Sequence, residues 1–247
     1  MTAIIHWRNL CLLAAIAGAV PAGTAQSQTI GGFYVSLGGG YNIMGDQTIT
    51  SVGTPFGPQP GGDVELDGGP VWMGSIGWGA GNGLRFEIEG SYRGNDLSKA
   101  SAGALRNAEA RGEERKTAVL INAVYDIDLA RSGLPWLLPH IGVGFGYVWT
   151  EWDDVQAFNQ QELVELGGTE GNTAFQGIVG FSVPLPSVPG LAVTADYRYL
   201  HLFGDRSYDG RVARSRFGAF PISTKVEDDT NHSFAVGLRY AFGPAWP

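Results

Sequence analysis

The stretch LRFEIEGSYR, residues 84–93, alternates between two kinds of side chain. Leu84, Phe86, Ile88 and Tyr92 share one parity with Gly90, while Arg85, Glu87, Glu89, Ser91 and Arg93 share the other. A period of two describes an extended strand with one apolar and one charged face. A soluble barrel turns the apolar face inward, and a membrane barrel turns it outward. The rest of the chain has to say which applies.

The chain has 247 residues, 44% hydrophobic and only 16% charged, enough for one large domain or two small ones. Its 38 glycines are about twice the usual share. At the N-terminus, His6 and Arg8 precede the apolar run LCLLAAIAGAV (10–20), Pro21 interrupts it, and Gly23 and Ala25 suit the −3 and −1 positions of a cut. Residues 1–25 are therefore expected to be a secretory signal peptide, with 26–247 forming the mature domain. The lone cysteine, Cys11, lies in that leader, so no disulfide or thiolate chemistry is expected after export. Without Arg8 the chain carries 15 bases against 24 acids, a formal charge of −9 that argues against nucleic-acid binding.

Seven further stretches alternate in the same way, at about 32–41, 71–79, 117–127, 140–149, 174–183, 191–201 and 232–242. In HSFAVGLRYAF (232–242), Phe234, Val236, Leu238, Tyr240 and Phe242 share a face. The connections alternate in length, long at about 42–70, 94–116, 150–173 and 202–231, and short between them. This predicts an all-β fold, an eight-stranded antiparallel up-and-down transmembrane β-barrel whose rims face different compartments. Part of 96–114 is expected to form a short helix.

Glycine indicates which face looks inward. Gly38, Gly40, Gly142, Gly144, Gly146, Gly180 and Gly237 share the parity of the charges. Small residues suit the cramped lumen of a narrow barrel. The opposite parity holds Phe33, Trp72, Trp78, Phe86, Phe145, Trp149, Phe181 and Phe234, which would overfill it and suit lipid. Arg85, Glu87, Glu89, Arg93, Asn122, Asp126, Asp196, Arg198 and Arg239 are therefore expected inside, where charges must be paired. A register with Arg93 near Thr117 would bring Arg85 to Asp126 and Glu89 to Asn122, with Arg239 joining the lower group. Eight strands leave barely enough room for side chains, which favours a polar plug over a narrow passive pore.

The stretches GGFYVSLGGGYN (31–42), LRFEIEGSYRGND (84–96), PHIGVGFGY (139–147) and VGLRYAFG (236–243) resemble the small OmpA-like outer-membrane β-barrels of the alphaproteobacterial surface-protein type. The resemblance spans essentially the whole mature chain. It implies the outer membrane of a Gram-negative bacterium, both termini in the periplasm and a surface role in envelope integrity, adhesion or antigen exposure. It also implies an assembly signal at Leu238, Tyr240 and Phe242, read by the barrel-assembly machinery. Five further residues, GPAWP, follow that signal, a departure from the pattern. No peptidoglycan-binding domain is expected after the barrel.

Nothing in the sequence carries catalysis. His232 and Ser233 are adjacent and face opposite ways on a strand, unlike a His–Ser pair on one face. His201 shares the lipid-facing parity, and His140 begins a strand at the periplasmic edge. Asp228, Asp229 and His232 could cluster at a rim, although a solvated loop is the default reading. HExxH, a complete GxGxxG and GK[ST] are all missing, so no catalytic residue, cofactor or metal is expected, and a lipid-modifying enzyme ranks third after a surface protein and a channel. The loops say more. Residues 42–70 and 150–173 hold ten acids and no base, whereas 94–116 and 202–231 hold five bases each. RVARSRF (211–217) is the densest cationic patch. Arg211, Arg214 and Arg216 are therefore candidates to meet lipopolysaccharide phosphates, and the acidic loops to collect divalent cations or a basic host partner.

Overall fold

A computed structural model describes residues 29–102, 105–129, 132–134, 136–227 and 229–242. The expected leader, the GPAWP tail and Asp228 lie outside the described residues. Twelve strands stand where eight were expected: β1 (Gly31–Met44), β2 (Gln47–Gly53), β3 (Gln59–Leu66), β4 (Gly69–Ala80), β5 (Leu84–Ala102), β6 (Leu105–Asp126), β7 (Leu138–Phe158), β8 (Leu163–Pro184), β9 (Leu191–Leu202), β10 (Arg206–Arg214), β11 (Phe220–Val226) and β12 (Asp229–Ala241). All pair antiparallel in one sheet.

The expected eight stretches fall in β1, β4, β5, β6, β7, β8, β9 and β12. Their neighbours run β1–β4–β5–β6–β7–β8–β9–β12 and return to β1. The other four strands lie inside segments read from sequence as loops. They form a second circuit above the first, β3–β5–β6–β7–β8–β10–β11–β2 and back to β3. The two circuits share register. The offset that pairs Gly31 with Ala80 still pairs Ile49 with Gly62, and the one that pairs Met44 with Asn231 still pairs Ile49 with Val226. Short interruptions at 45–46, 67–68, 203–205 and after Val226 separate the collinear pieces, and backbone bonds link them to their neighbours, Gly45 N to Thr230 O at 3.2 Å and Glu227 N to Thr48 O at 3.0 Å.

The long connections are therefore mostly ladder, and the expected helix within 96–114 is absent: β5 runs to Ala102 and β6 starts at Leu105. The physical reason is pairing on both sides. β3 lies along 97–102 and β7 along 109–113, so the backbone polar groups find strand partners. At 19 and 22 residues, β5 and β6 are about twice the 9–11 needed to cross a bilayer.

The parity argument holds throughout the lower circuit. Phe33, Trp72, Ile88 and Phe145 point outward, each more than 60% exposed, whereas Arg85, Glu87, Glu89 and Arg93 are at most 5% exposed. From Phe33 to Ile43 the outward face of β1 is apolar, a span of ten residue steps that at a tilt of about 40° covers about 25 Å, the height of a barrel's lipid-facing band. Two inward glycines make room for polar groups: a Cβ on Gly144 would lie 1.9 Å from Asn122 Oδ1, and one on Gly180 would lie 2.4 Å from Asp196 Oδ1. Among the described residues, no helix is long and apolar enough to cross a membrane.

Candidate functional site: a plugged lumen beneath an apolar cup

Inward side chains fill the lumen in layers. At the lower level, Arg85 donates to Asp126 Oδ1 at 3.1 Å and to Glu87 Oε2 at 3.2 Å, and Tyr34 donates its hydroxyl to Glu87 at 2.8 Å. Asn122 bridges Glu87 at 3.1 Å and Glu89 at 2.8 Å. Arg198 bonds Glu89 and reaches Asp196 at 3.0 Å, while His140 Nε2 lies 2.9 Å from the same aspartate. Arg239 Nη1 stands 3.9 Å from Asp126. All nine expected lumen residues thus point inward, eight buried and Asp196 partly so.

The expected register is one step out. Arg93 lies across from Lys116, and Thr117 across from Tyr92. The contacts to Asp126 and Asn122 form regardless because long side chains reach diagonally to the next inward position.

Above this layer the lumen divides. On the side of β1, β5 and β12 a polar column rises: Arg93 donates to Ser91 at 2.9 Å, Ser233 to Asn42 at 2.8 Å, Asn42 to Asn95 at 2.9 Å, and Asn231 to Asp229 at 2.8 Å. On the side of β6 to β9, Leu120, Val148, Leu200 and Leu202 pack into an apolar cluster.

The column leads to a second ionic layer that sequence reading missed. Lys116 pairs with Glu114 and lies 3.3 Å from Asp229, which also binds Arg206. Gln47 donates to Glu114 at 2.8 Å, and Trp152 Nε1 donates to it at 2.6 Å. All four charges lie in or beside segments read as loops, so nothing assigned them a face. The continuing alternation through EERKTAVL (113–120) was the available signal. Asp229 and His232 also part company. Asp229 is buried in the lumen, while His232 faces outward and its Nδ1 lies 2.7 Å from the Tyr197 hydroxyl, so no rim cluster joins them. Among the described residues, no group of three or more His, Cys, Asp and Glu could hold a metal ion.

Above the second layer the interior turns apolar. Ile49, Leu97, Leu105, Val155, Val164 and Val212 line a cavity of about 720 Å³ enclosed by the upper circuit. Trp152 forms its floor, stacked on Tyr208 at 4.2 Å with the rings 5° from parallel. Burial pushes the Tyr208 hydroxyl well above the usual phenol range, so that group stays neutral beneath the cup. At the mouth, Phe56 of the β2–β3 tip meets Phe220 edge-on at 5.3 Å, and Phe217 lies 6.2 Å away.

Three of the acids in 42–70 and 150–173 pair with bases on neighbouring strands. Glu65 accepts from Lys99 at 2.8 Å, Asp153 pairs with Arg115 at 2.8 Å, and Glu165 accepts from Arg211 at 2.7 Å. Arg214 donates to Asn159 O at 3.3 Å, and Arg216 lies over the Phe217 ring at 4.6 Å. Leu238 and Tyr240 face outward on β12, and Phe242 follows that strand, also exposed.

Comparison with known proteins agrees with this architecture. A family model described as an outer membrane protein beta-barrel domain matches residues 10–242. A curated relative called "Outer membrane protein", from Gluconacetobacter diazotrophicus, is 34% identical over 252 residues. The alignment covers 97% of this chain and 65% of the relative, so the chain spans just under two thirds of that protein's length. Among solved structures, the outer membrane protein OprG from Pseudomonas aeruginosa is similar, with a TM-score of 0.58 at 12% identity, covering 87% of this chain and 99% of that one. Neisserial surface protein A, at 15% identity and a TM-score of 0.49, is similar over 85% of this chain and 97% of its own.

Proposed function

Given that the chain belongs to the outer membrane protein β-barrel family, and so to the outer membrane of a Gram-negative bacterium, we propose that it is a sealed barrel whose work is done at the cell surface. In this reading the twelve strands make eight staves, four of them interrupted. The shared register across the interruptions supports that count. The ends of the described chain, near Ile30 and Phe242, and the short turns share one rim, which we assign to the periplasm, with the extended upper circuit assigned to the outside.

The filling of the lumen carries the functional reading. In the lower layer Arg85, Arg198 and Arg239 lie against Glu87, Glu89, Asp126 and Asp196, with Arg93 held just above them by Ser91 and Ser233, and in the upper layer Lys116 and Arg206 meet Glu114 and Asp229. Counting Arg93, the buried charges balance, and an ion pair crosses the bore in each layer, Arg198 to Glu89 below and Lys116 to Asp229 above. Conduction would require breaking buried ion pairs, at several kcal/mol each. A structural or interaction role, in envelope integrity, adhesion or antigen exposure, follows more readily than a passive channel. His232 and Ser233 lie on opposite faces, which disfavours a His–Ser pair there.

Planar-bilayer recording of the full chain tests the seal. Baseline current without steady openings is expected. Steady openings that vanish when Arg85 or Glu89 is altered would establish the channel instead. Lipopolysaccharide contact at Arg211, Arg214 and Arg216 remains part of the proposal, although Arg211 already holds Glu165. Unchanged lipopolysaccharide co-purification after all three are replaced would remove it.

A further inference from the structure

We propose that the apolar cup above the plug is a binding site for a free single-chain amphiphile with an anionic head, of the fatty-acid class, entering from outside the cell. Three observations lead there. The first is the unfilled space. Protein interiors pack to crystal-like density with few voids larger than a water molecule. A space of about 720 Å³ walled by buried aliphatic side chains is the size of a small-molecule site and offers water few partners.

The second is the closed floor. Trp152 covers the base and is tied to Glu114 in the upper ionic layer, so the cup is a dead end above the plug. The chemistry is binding rather than passage. The third is the mouth. The wall is apolar, but Thr54, Gln59, Asn159, Gln161, Glu162 and Arg216 stand at the entrance, one acid among them beside the bases. Among the described residues, Arg214 and Arg216 have no carboxylate partner, unlike Arg211. An aliphatic body would bury against the wall, and a carboxylate head would meet the two guanidiniums at the rim, the pairing that guanidinium geometry favours. Phe56 and Phe217, both largely exposed, would lie over the segment between.

The inference does not depend on the lumen being sealed to ions, because the cup lies above both ionic layers. The test uses the full chain in lipid nanodiscs, where no detergent competes. A dansyl-labelled fatty acid is the probe, read by energy transfer from protein tryptophan and corrected against empty discs. Displacement by palmitate is expected, with hexadecanol about tenfold weaker for want of the charged head. Arg214→Glu with Arg216→Glu should abolish that preference while leaving hexadecanol binding in place. Val164→Arg should abolish binding of both. Ala157→Phe, which narrows the cup without burying a charge, should weaken both and serves if Val164→Arg does not fold.

Absence of displaceable probe, or binding indifferent to the cup variants, overturns the site. Equal displacement by palmitate and hexadecanol overturns the anionic head.

Discussion

The lower and upper halves of this barrel use the same staves and the same alternation with opposite chemistry. On β5, the lower half turns Phe86 and Ile88 outward and Arg85, Glu87 and Glu89 inward. Ten residues further on, the same strand turns Leu97 and Ala100 inward and Asp96 and Lys99 outward. β6 does likewise, with Ile121 outside and Asn122 inside below, but Glu109 outside and Ala108 inside above. A change of parity does not cause the switch, because Arg93, Asn95 and Leu97 stay on the inward side and the ladder's irregularity, between Asp96 and Lys99, shifts register without turning Leu97 outward. What changes is the surrounding solvent: hydrocarbon below, water above. A strand in lipid sends its apolar face to the wall, and a strand in water sends it to the core. In the orientation proposed above, the point of inversion, near Lys116 and Asp229, would mark the outer edge of the membrane.

That contrast can be broken at its most expensive point. Glu89 receives Arg198, Asn122 and Gln176 inside the lower lumen. Glu89→Leu would leave Arg198 with Asp196 as its remaining carboxylate and remove an acceptor from Asn122 and Gln176, and is expected to cost about 3–5 kcal/mol, read as a lower urea midpoint in reconstituted vesicles. Next comes a charge on the outer wall. Ile88→Arg places a base at mid-belt, at about 2–4 kcal/mol. Thr169→Arg, on an exposed outward position of the upper half, should stay within about 0.5 kcal/mol. Equal costs at the two sites would mean that both halves meet the same solvent, and the boundary drawn here would be wrong.

The lower half was legible in the sequence because its alternation is strong. Where Phe86 and Ile88 interleave with Arg85 and Glu87, one parity fixes both faces, and the glycines of GVGFG (142–146) show which side is cramped. The upper half was not legible, for a physical reason. Its inward residues include small ones such as Ala100, Ala108, Ala110 and Ala157, and its outward residues are the charged and polar types that also make loops. Alternation between alanine and glutamate reads equally well as a helix, which is why 96–114 suggested one. Length was the remaining clue, since structureless connections of more than about 15 residues are uncommon within a compact domain. The cup followed the same fate, because its lining comes from eight separate strands and no two neighbours in sequence announce it. The second ionic layer was hidden because Lys116 and Asp229 sit where one solvent gives way to the other.

The smallest effect sharpens the contrast from the other side. Arg211 and Glu165 form an ion pair at 2.7 Å on the outer surface of the upper half, with the arginine side chain 67% exposed. By distance it matches Arg85 and Asp126, at 3.1 Å, inside the lower half. Distance does not set the energy. Water solvates Arg211 before and after the pair breaks, and holding two long side chains together costs entropy, so Arg211→Ala should change stability by about 0–1 kcal/mol. Added salt should erase even that, since it screens exposed charges over about 10 Å at 0.1 M. Arg85→Ala leaves Asp126 buried without its hydrogen-bond donor and Glu87 without its ion pair, and should remain costly at any salt concentration. Urea midpoints of the two variants at low and high salt therefore separate the two environments, and a salt-insensitive loss at Arg211 would place that pair in an enclosed site rather than on an open surface.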